Sequence, residues 1–176
     1  MLLLIGSFLL LLVIGALVTG VVMAHNLLLL AFGSLLVAIA ALDFRHFWLP
    51  DRLTAALAVA GLAGGVAGLD PPLTDRLIGG VAGFAVLTVF AALYRWVRNR
   101  DGLGGGDPKL LGAIGVWLGW QALPLVIVGA SMIGIGWTIW RMLTGHQVRG
   151  TDRLALGGLM AAAAFPVWLG QAWLAQ

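Results

Sequence analysis

Gly102-Leu103-Gly104-Gly105-Gly106-Asp107-Pro108-Lys109-Leu110 is the stretch on which the reading of this chain turns. The residues to either side are apolar enough for lipid. Here glycines, an acid and a base arrive together. A carboxylate at the mouth of a hydrophobic segment is costly, and is by default a functional group. The glycines let the backbone turn tightly and approach another group closely. Asp107 needs a partner, and the chain offers one upstream at Asp43.

Around that stretch the composition is that of an integral membrane protein. Hydrophobic residues make up 61% and charged residues 10%, against about 25% charged in a soluble domain. The 176 residues suffice for one domain, read as a single membrane-embedded unit over 1–176. Glutamate is absent, and the 7 acids are Asp43, Asp51, Asp70, Asp75, Asp101, Asp107 and Asp152. Cysteine is absent too, which removes disulfides, thiolate nucleophiles and thiolate metal sites. His25, His46 and His146 are far apart and lack metal-ligand spacing, so neither a metal nor a cofactor is expected. The net charge of +3 does not point to nucleic acid, because the bases lie in short loops between apolar runs. Gly61/Gly65, Gly79/Gly83 and Gly115/Gly119 share four-residue spacing and are read as close helix packing in lipid.

Residues 2–24 are apolar throughout. Val22-Met23-Ala24 resembles a signal-peptide cleavage site, but no basic segment precedes the run, which is also too long for a signal core; a span is expected. His25-Asn26 makes a turn, and a second run, 27–42, ends at Asp43. The stretch 44–54 reads as an interfacial loop, with Arg45, Arg52, aromatics suited to headgroups, and Pro50 stopping the helix. Asp51 follows Pro50 at a new helix start, where a carboxylate caps free N–H groups; Pro50 and Asp51 are thus structural residues near the site. Spans follow over 53–69 and 77–94, joined by a loop over 70–76. Residues 95–101 form a basic collar.

Residues 110–140 run for 31 positions without a charge. One helix of that length reaches about 46 Å, against a hydrocarbon core of about 30 Å. Gly119 to Pro124 supplies a break, giving a short span over 109–120 and a fuller one over 123–140. A polar loop over 141–153 leads to the last span, 154–174, which Pro166 is expected to kink. The expected fold is therefore an all-α polytopic membrane protein, a bundle of about seven transmembrane helices. Nine of the 10 Lys and Arg residues then fall on one side and only Arg76 on the other. By the positive-inside rule the N-terminus is cytoplasmic and the C-terminus external.

This topology sets Asp43 and Asp107 at similar depth on the cytoplasmic edge. Two close carboxylates share a proton. The ionised one can take a proton from water, while the protonated one polarises a scissile carbonyl and then helps protonate the leaving amine. No nucleophilic side chain or metal is required. Gly104, Gly105 and Gly106 can present bare backbone to an extended substrate strand.

The segment from Gly104 to Leu110 resembles the GxGD-x-K-L motif of the type IV prepilin peptidases, a family of membrane-embedded aspartic proteases. The string from Leu111 to Trp120 is similar to the family's GAWxGW-like continuation. Asp43 with Leu49-Pro50-Asp51-Arg52-Leu53-Thr54 is similar to its D-x6-LPDxLT element. The resemblance implies that Asp43 and Asp107 are catalytic, with Gly104, Gly105, Gly106 and Lys109 forming the active-site loop. It implies a bacterial inner-membrane enzyme that removes the basic leader of prepilin-like proteins on the cytoplasmic face. Its partners would be the substrate's helix and the bilayer. Larger members carry an N-terminal region with paired cysteines and methylate the new N-terminus. This chain opens on an apolar run without cysteine, so the short, peptidase-only type is expected. The family's PFGP-like string before the last span is replaced here by Ala155-Leu156-Gly157-Gly158.

Two other classes fit parts of the pattern. A proton-coupled transporter would use the aspartates as relays, but relay acids sit near the midplane, and these lie at one edge. A non-catalytic assembly protein of a pilus or secretion system would use them only as helix caps.

Overall fold

The computed structural model describes residues 30–99, 103–145 and 155–174. The expected span over 2–24, the turn at His25-Asn26, Asp101 and Gly102, and most of the loop over 141–153 lie outside the described residues. Among the described residues the structure is helical, without strands. The helices are α1 (30–46), α2 (Asp51–Val66), α3 (Leu73–Arg98), α4 (Asp107–Leu118), α5 (Leu123–Leu143) and α6 (Leu156–Leu174). Prolines set the entries: Pro50 and Pro72 hold extended backbone just before α2 and α3, and Pro108 and Pro124 stand in the first turns of α4 and α5. There the missing N–H is no loss and the fixed φ favours a helix start.

The long uncharged run divides where its length requires. α4 stops at Gly119, whose φ is 77°, and a 3₁₀ turn, Trp120–Ala122, leads into α5. Among the described residues two segments are long and apolar enough to cross a bilayer, the 26 residues Leu73–Arg98 and the 24 residues Trp120–Leu143. Both carry large apolar side chains on their outward faces, among them Val81, Val89, Leu125 and Met132. Such a surface suits lipid and not water.

α4 lies at the centre. Every one of its residues except Lys109 is buried. α3 lies against it backbone to backbone: a Cβ at Gly79 would strike the Gly115 carbonyl, and one at Gly115 would strike Gly79. Close approach is therefore what the glycines at 79 and 115 serve. On another side Trp117 stacks on Phe32 of α1, ring centroids 4.6 Å apart, and its indole N–H donates to the Leu57 carbonyl of α2. Phe32 in turn meets Trp168 of α6 edge-on at 5.6 Å. Pro166 lies inside α6, and the helix continues through it.

Arg76 departs from its expected place. The sequence sets it in a loop as the lone base on the outer side. It instead stands in the first turn of α3 and is only 2% exposed. Its guanidinium donates to the carbonyls of Gly61 at 2.9 Å, Val116 at 3.1 Å, Trp117 at 3.2 Å, and Asp70 and Pro71 at 2.8 Å. The Val116 and Trp117 carbonyls belong to the last turn of α4, which has no intrahelical donor of its own. A cation there also meets the negative end of the helix.

Replacing Arg76 with leucine leaves those carbonyls buried without donors. The expected cost is on the order of 3 kcal/mol, read as a lowered thermal midpoint in detergent. Arg76→Lys should recover only part of the loss, because an ammonium lacks the guanidinium's fork of donors.

Candidate active site

The aspartates reach one place from different helices. Asp43 stands near the end of α1. Four residues on, the Phe47 N–H donates to the Asp43 carbonyl at 2.9 Å, and Phe47 takes a left-handed φ of 50°. That reversal ends the helix and turns the chain back, so that Leu49 lies beside Gly106: a Cβ at Gly106 would fall 2.7 Å from the Leu49 Cβ. Asp107 is the first residue of α4, where a carboxylate meets the positive end of the helix. The glycine loop folds over it: the Gly104 N–H donates to Asp107 Oδ2 at 3.0 Å, and the Asp107 N–H donates to the Gly104 carbonyl at 3.2 Å.

Asp43 and Asp107 are 4% and 6% exposed, in a chain where acids are few. They converge at the start of α6. A Cβ added at Gly157 would lie 3.0 Å from Asp43 Oδ2 and 3.2 Å from Asp107 Oδ1. The two oxygens are therefore no farther apart than those two distances laid end to end. The Gly158 N–H donates to Asp43 Oδ2 at 2.6 Å. Two buried carboxyl groups so placed are able to act as base and acid on one water.

Gly104 and Gly105, with Pro108 and Lys109, line an open cleft of about 510 Å³ whose other wall is α3 at Phe84, Thr88 and Arg95. A Cβ at Gly105 would meet nothing within 4 Å, so this part of the loop presents bare backbone to the cleft. Lys109, the one exposed residue of α4, points to Asp51, with Nζ 2.7 Å from Oδ1. Asp51 makes no side-chain cap; Pro50 holds the cap position, and the carboxylate of Asp51 ties α2 to α4 instead. The expected cap is thus replaced by an ion pair, because Lys109 projects from the neighbouring helix start.

Sequence reasoning left Gly157 and Gly158 without a role. Their signal was a pair of glycines opening an apolar run, as glycines also precede Asp107. Which acids they face was not written in their own segment, since their contacts lie at positions 43, 49 and 107.

Residues 30–139 match the model of the type IV leader peptidase family. A prepilin leader peptidase/N-methyltransferase of Dickeya chrysanthemi is 40% identical over 136 residues, which cover 77% of this chain and 47% of that protein. The protein of that name in Pectobacterium carotovorum subsp. carotovorum is 35% identical over 145 residues, 80% of this chain and 51% of its own length. That of Aeromonas salmonicida (strain A449) is 42% identical over 99 residues, 56% of this chain and 34% of its own. The chain spans about half the length of the first two. No solved structure matches it.

The Lys109–Asp51 pair is about half exposed on one side and more on the other, 48% and 70%. Such a pair contributes at most about 1 kcal/mol. Lys109→Ala and Asp51→Ala should each move the thermal midpoint slightly, and less at high salt than at low. A large, salt-independent loss would show that the contact matters through packing.

Proposed function

Because this chain belongs to the type IV leader peptidase family, we propose that it is a membrane-embedded aspartic endopeptidase that removes the basic leader of prepilin-like proteins. The observation that carries this reading is the convergence of the buried Asp43 and Asp107 carboxyl groups on Gly157. In the proposed reaction the ionised carboxylate takes a proton from water, and the water oxygen bonds to the scissile carbonyl carbon. The protonated carboxyl hydrogen-bonds the developing oxyanion. As the C–N bond breaks, the leaving amine takes up a proton from the pair. The prepilin backbone enters along the cleft beside Gly104 and Gly105, with main-chain pairing to the loop. Gly106 closes that loop against Leu49, and Lys109 holds it to α2 through Asp51. We confine the proposal to cleavage and assign no methyl transfer.

The membrane arrangement belongs to the same proposal. The ends of α1, α3 and α5 and the starts of α2, α4 and α6 lie toward the aspartates, and with them Arg45, Arg52, Arg95, Arg98, Lys109 and Arg141. Arg76 lies at the other end, with Gly119 and Gln121. This distribution supports an aspartate end facing the cytoplasm in a multi-pass, seven-span protein of the bacterial inner membrane, with the N-terminus inside and the C-terminus outside.

Asp43→Asn and Asp107→Asn should each lower leader removal by at least about 10²-fold while the protein still inserts, as read by the mobility shift of a co-expressed prepilin. Full processing by either variant removes the reading.

The orientation has its own test, made simple by the absence of cysteine. In right-side-out vesicles a membrane-impermeant maleimide should label Gln121→Cys and leave Asn99→Cys unlabelled until the membrane is opened. The reverse pattern would place the aspartates outside.

A further inference from the structure

Gly157 opens the last helix and lies beyond the matched residues 30–139. Its surroundings are unusual. A Cβ there would lie 2.7 Å from Leu49 Cδ1, 3.0 Å from Asp43 Oδ2 and 3.2 Å from Asp107 Oδ1. The last two separations are shorter than a carbon normally keeps from a carboxylate oxygen, so a side chain here would crowd both acids at once. A methyl group at this point would narrow the gap between the two carboxylates from the α6 side. It would also press on two side chains that have little freedom to yield. Asp43 is held by the Gly158 N–H at 2.6 Å, and Asp107 by the Gly104 N–H at 3.0 Å. Both are buried.

Gly158 presents a different case. The nearest neighbour of a Cβ there would be the ring of Phe44, at 3.0 Å, and Phe44 is exposed and able to swing aside. What Gly158 supplies is its N–H, one of the first-turn donors of α6 that no carbonyl within the helix can accept. The two neighbouring glycines thus each bring a backbone amide to one acid, Gly157 to Asp107 and Gly158 to Asp43, and Gly157 adds clearance.

We propose that Gly157 is a positioning residue of the hydrolytic site. Its bare Cα keeps open the gap in which a water reaches both Asp43 and Asp107, while the Gly158 amide fixes the direction of the Asp43 carboxylate. The inference rests on the aspartic-peptidase reading and adds to it a third wall supplied by the start of α6. It also gives the Ala155-Leu156-Gly157-Gly158 stretch a function in the chemical step.

The competing account is that Gly157 exists only to accommodate Leu49, its tightest neighbour. Three variants separate the two: Leu49→Ala, Gly157→Ala, and the double variant carrying both. Each is assayed in detergent or vesicles for kcat and KM of prepilin cleavage. The double variant relieves the Leu49 contact, so it should fold even where Gly157→Ala alone does not. Relative to Leu49→Ala, the double variant should lose about 10²-fold in kcat, the scale set by a small misplacement of reacting groups. Its KM should stay within about twofold of that of Leu49→Ala, since clearance at the carboxylates affects the chemical step and not docking. Turnover of the double variant equal to that of Leu49→Ala would overturn the proposal, as would a loss confined to KM. Activity in Asp43→Asn or Asp107→Asn would instead sink the peptidase reading itself, a result these three variants do not mimic.

Discussion

At 12 residues α4 is too short to cross a hydrocarbon core of about 30 Å, so its apolar faces are covered by protein, and that demand falls on the whole molecule. All of it except Lys109 is buried. Leu110, Leu111, Ile114 and Leu118 are fully enclosed. Five other helices and a 3₁₀ turn are arranged to enclose it. Where side chains would hold α3 too far away, Gly79 and Gly115 let the two backbones meet. In lipid the hydrophobic effect does not favour helix over tail, so close packing of this kind is what association has to draw on. The ends of α4 follow from its position. Its C-terminal carbonyls are buried and need a donor, which Arg76 brings from α3. Its N-terminus is buried too, and the residue placed there is Asp107.

Two acids buried near each other oppose both burial and each other. Backbone offsets part of this cost. Asp107 sits on the positive end of α4 and receives the Gly104 amide, while Asp43 receives the Gly158 amide from the first turn of α6. Each carboxylate thus takes a hydrogen bond from a group with few other partners, so the loop and the helix end are satisfied in the same act. Glycine is the residue that permits it. Gly104, Gly106 and Gly157 stand where a side chain would lie against Asp107, Leu49 or both carboxylates. The site is walled chiefly by main chain, with Leu49 the large side chain between the loop and α6.

Much of this was legible in the sequence, for reasons that are specific. The division between α4 and α5 followed from the length of an uncharged run against the thickness of a bilayer, and the structure breaks the run at Gly119 as that arithmetic requires. Asp43 and Asp107 stood out because acids are scarce and each closes or opens an apolar run. The glycine pairs at four-residue spacing marked the face on which α3 and α4 meet. What failed to show has a common cause. Arg76 reads as a loop charge because hydropathy registers a residue's own neighbours in sequence, whereas its acceptors at Gly61 and Val116 lie 15 and 40 residues away. Asp51 reads as a cap because a carboxylate at a helix start is normally one; its actual partner, Lys109, is 58 residues on. Gly157 and Gly158 read only as a departure from the family's string, because the acids they face are more than a hundred residues upstream or on another helix. One-dimensional pattern reports burial and breaks well, and long-range polar partners poorly.

The two carboxylates share the start of α6. Asp107 is held by its own loop, through Gly104, and by the backbone of Gly157. Asp43 is held by α6, through Gly158. Of the residues around them, Gly157 is the one whose Cα faces both. Their separation is therefore set by how α6 packs on α4 and not by either local turn. That packing has identifiable supports away from the acids: Phe32 lies between Trp117 of α4 and Trp168 of α6, and the Gln171 side-chain amide donates to the Leu118 carbonyl at 3.1 Å near the far end of α4. A small tilt of α6 about those contacts would be carried along the helix to its first turn and would change the gap between the carboxylates directly. Aromatic stacking deep in the bundle and the spacing of two acids at its rim are in this sense one mechanical problem, joined by α6, whose first turn meets the acids through Gly157 and Gly158.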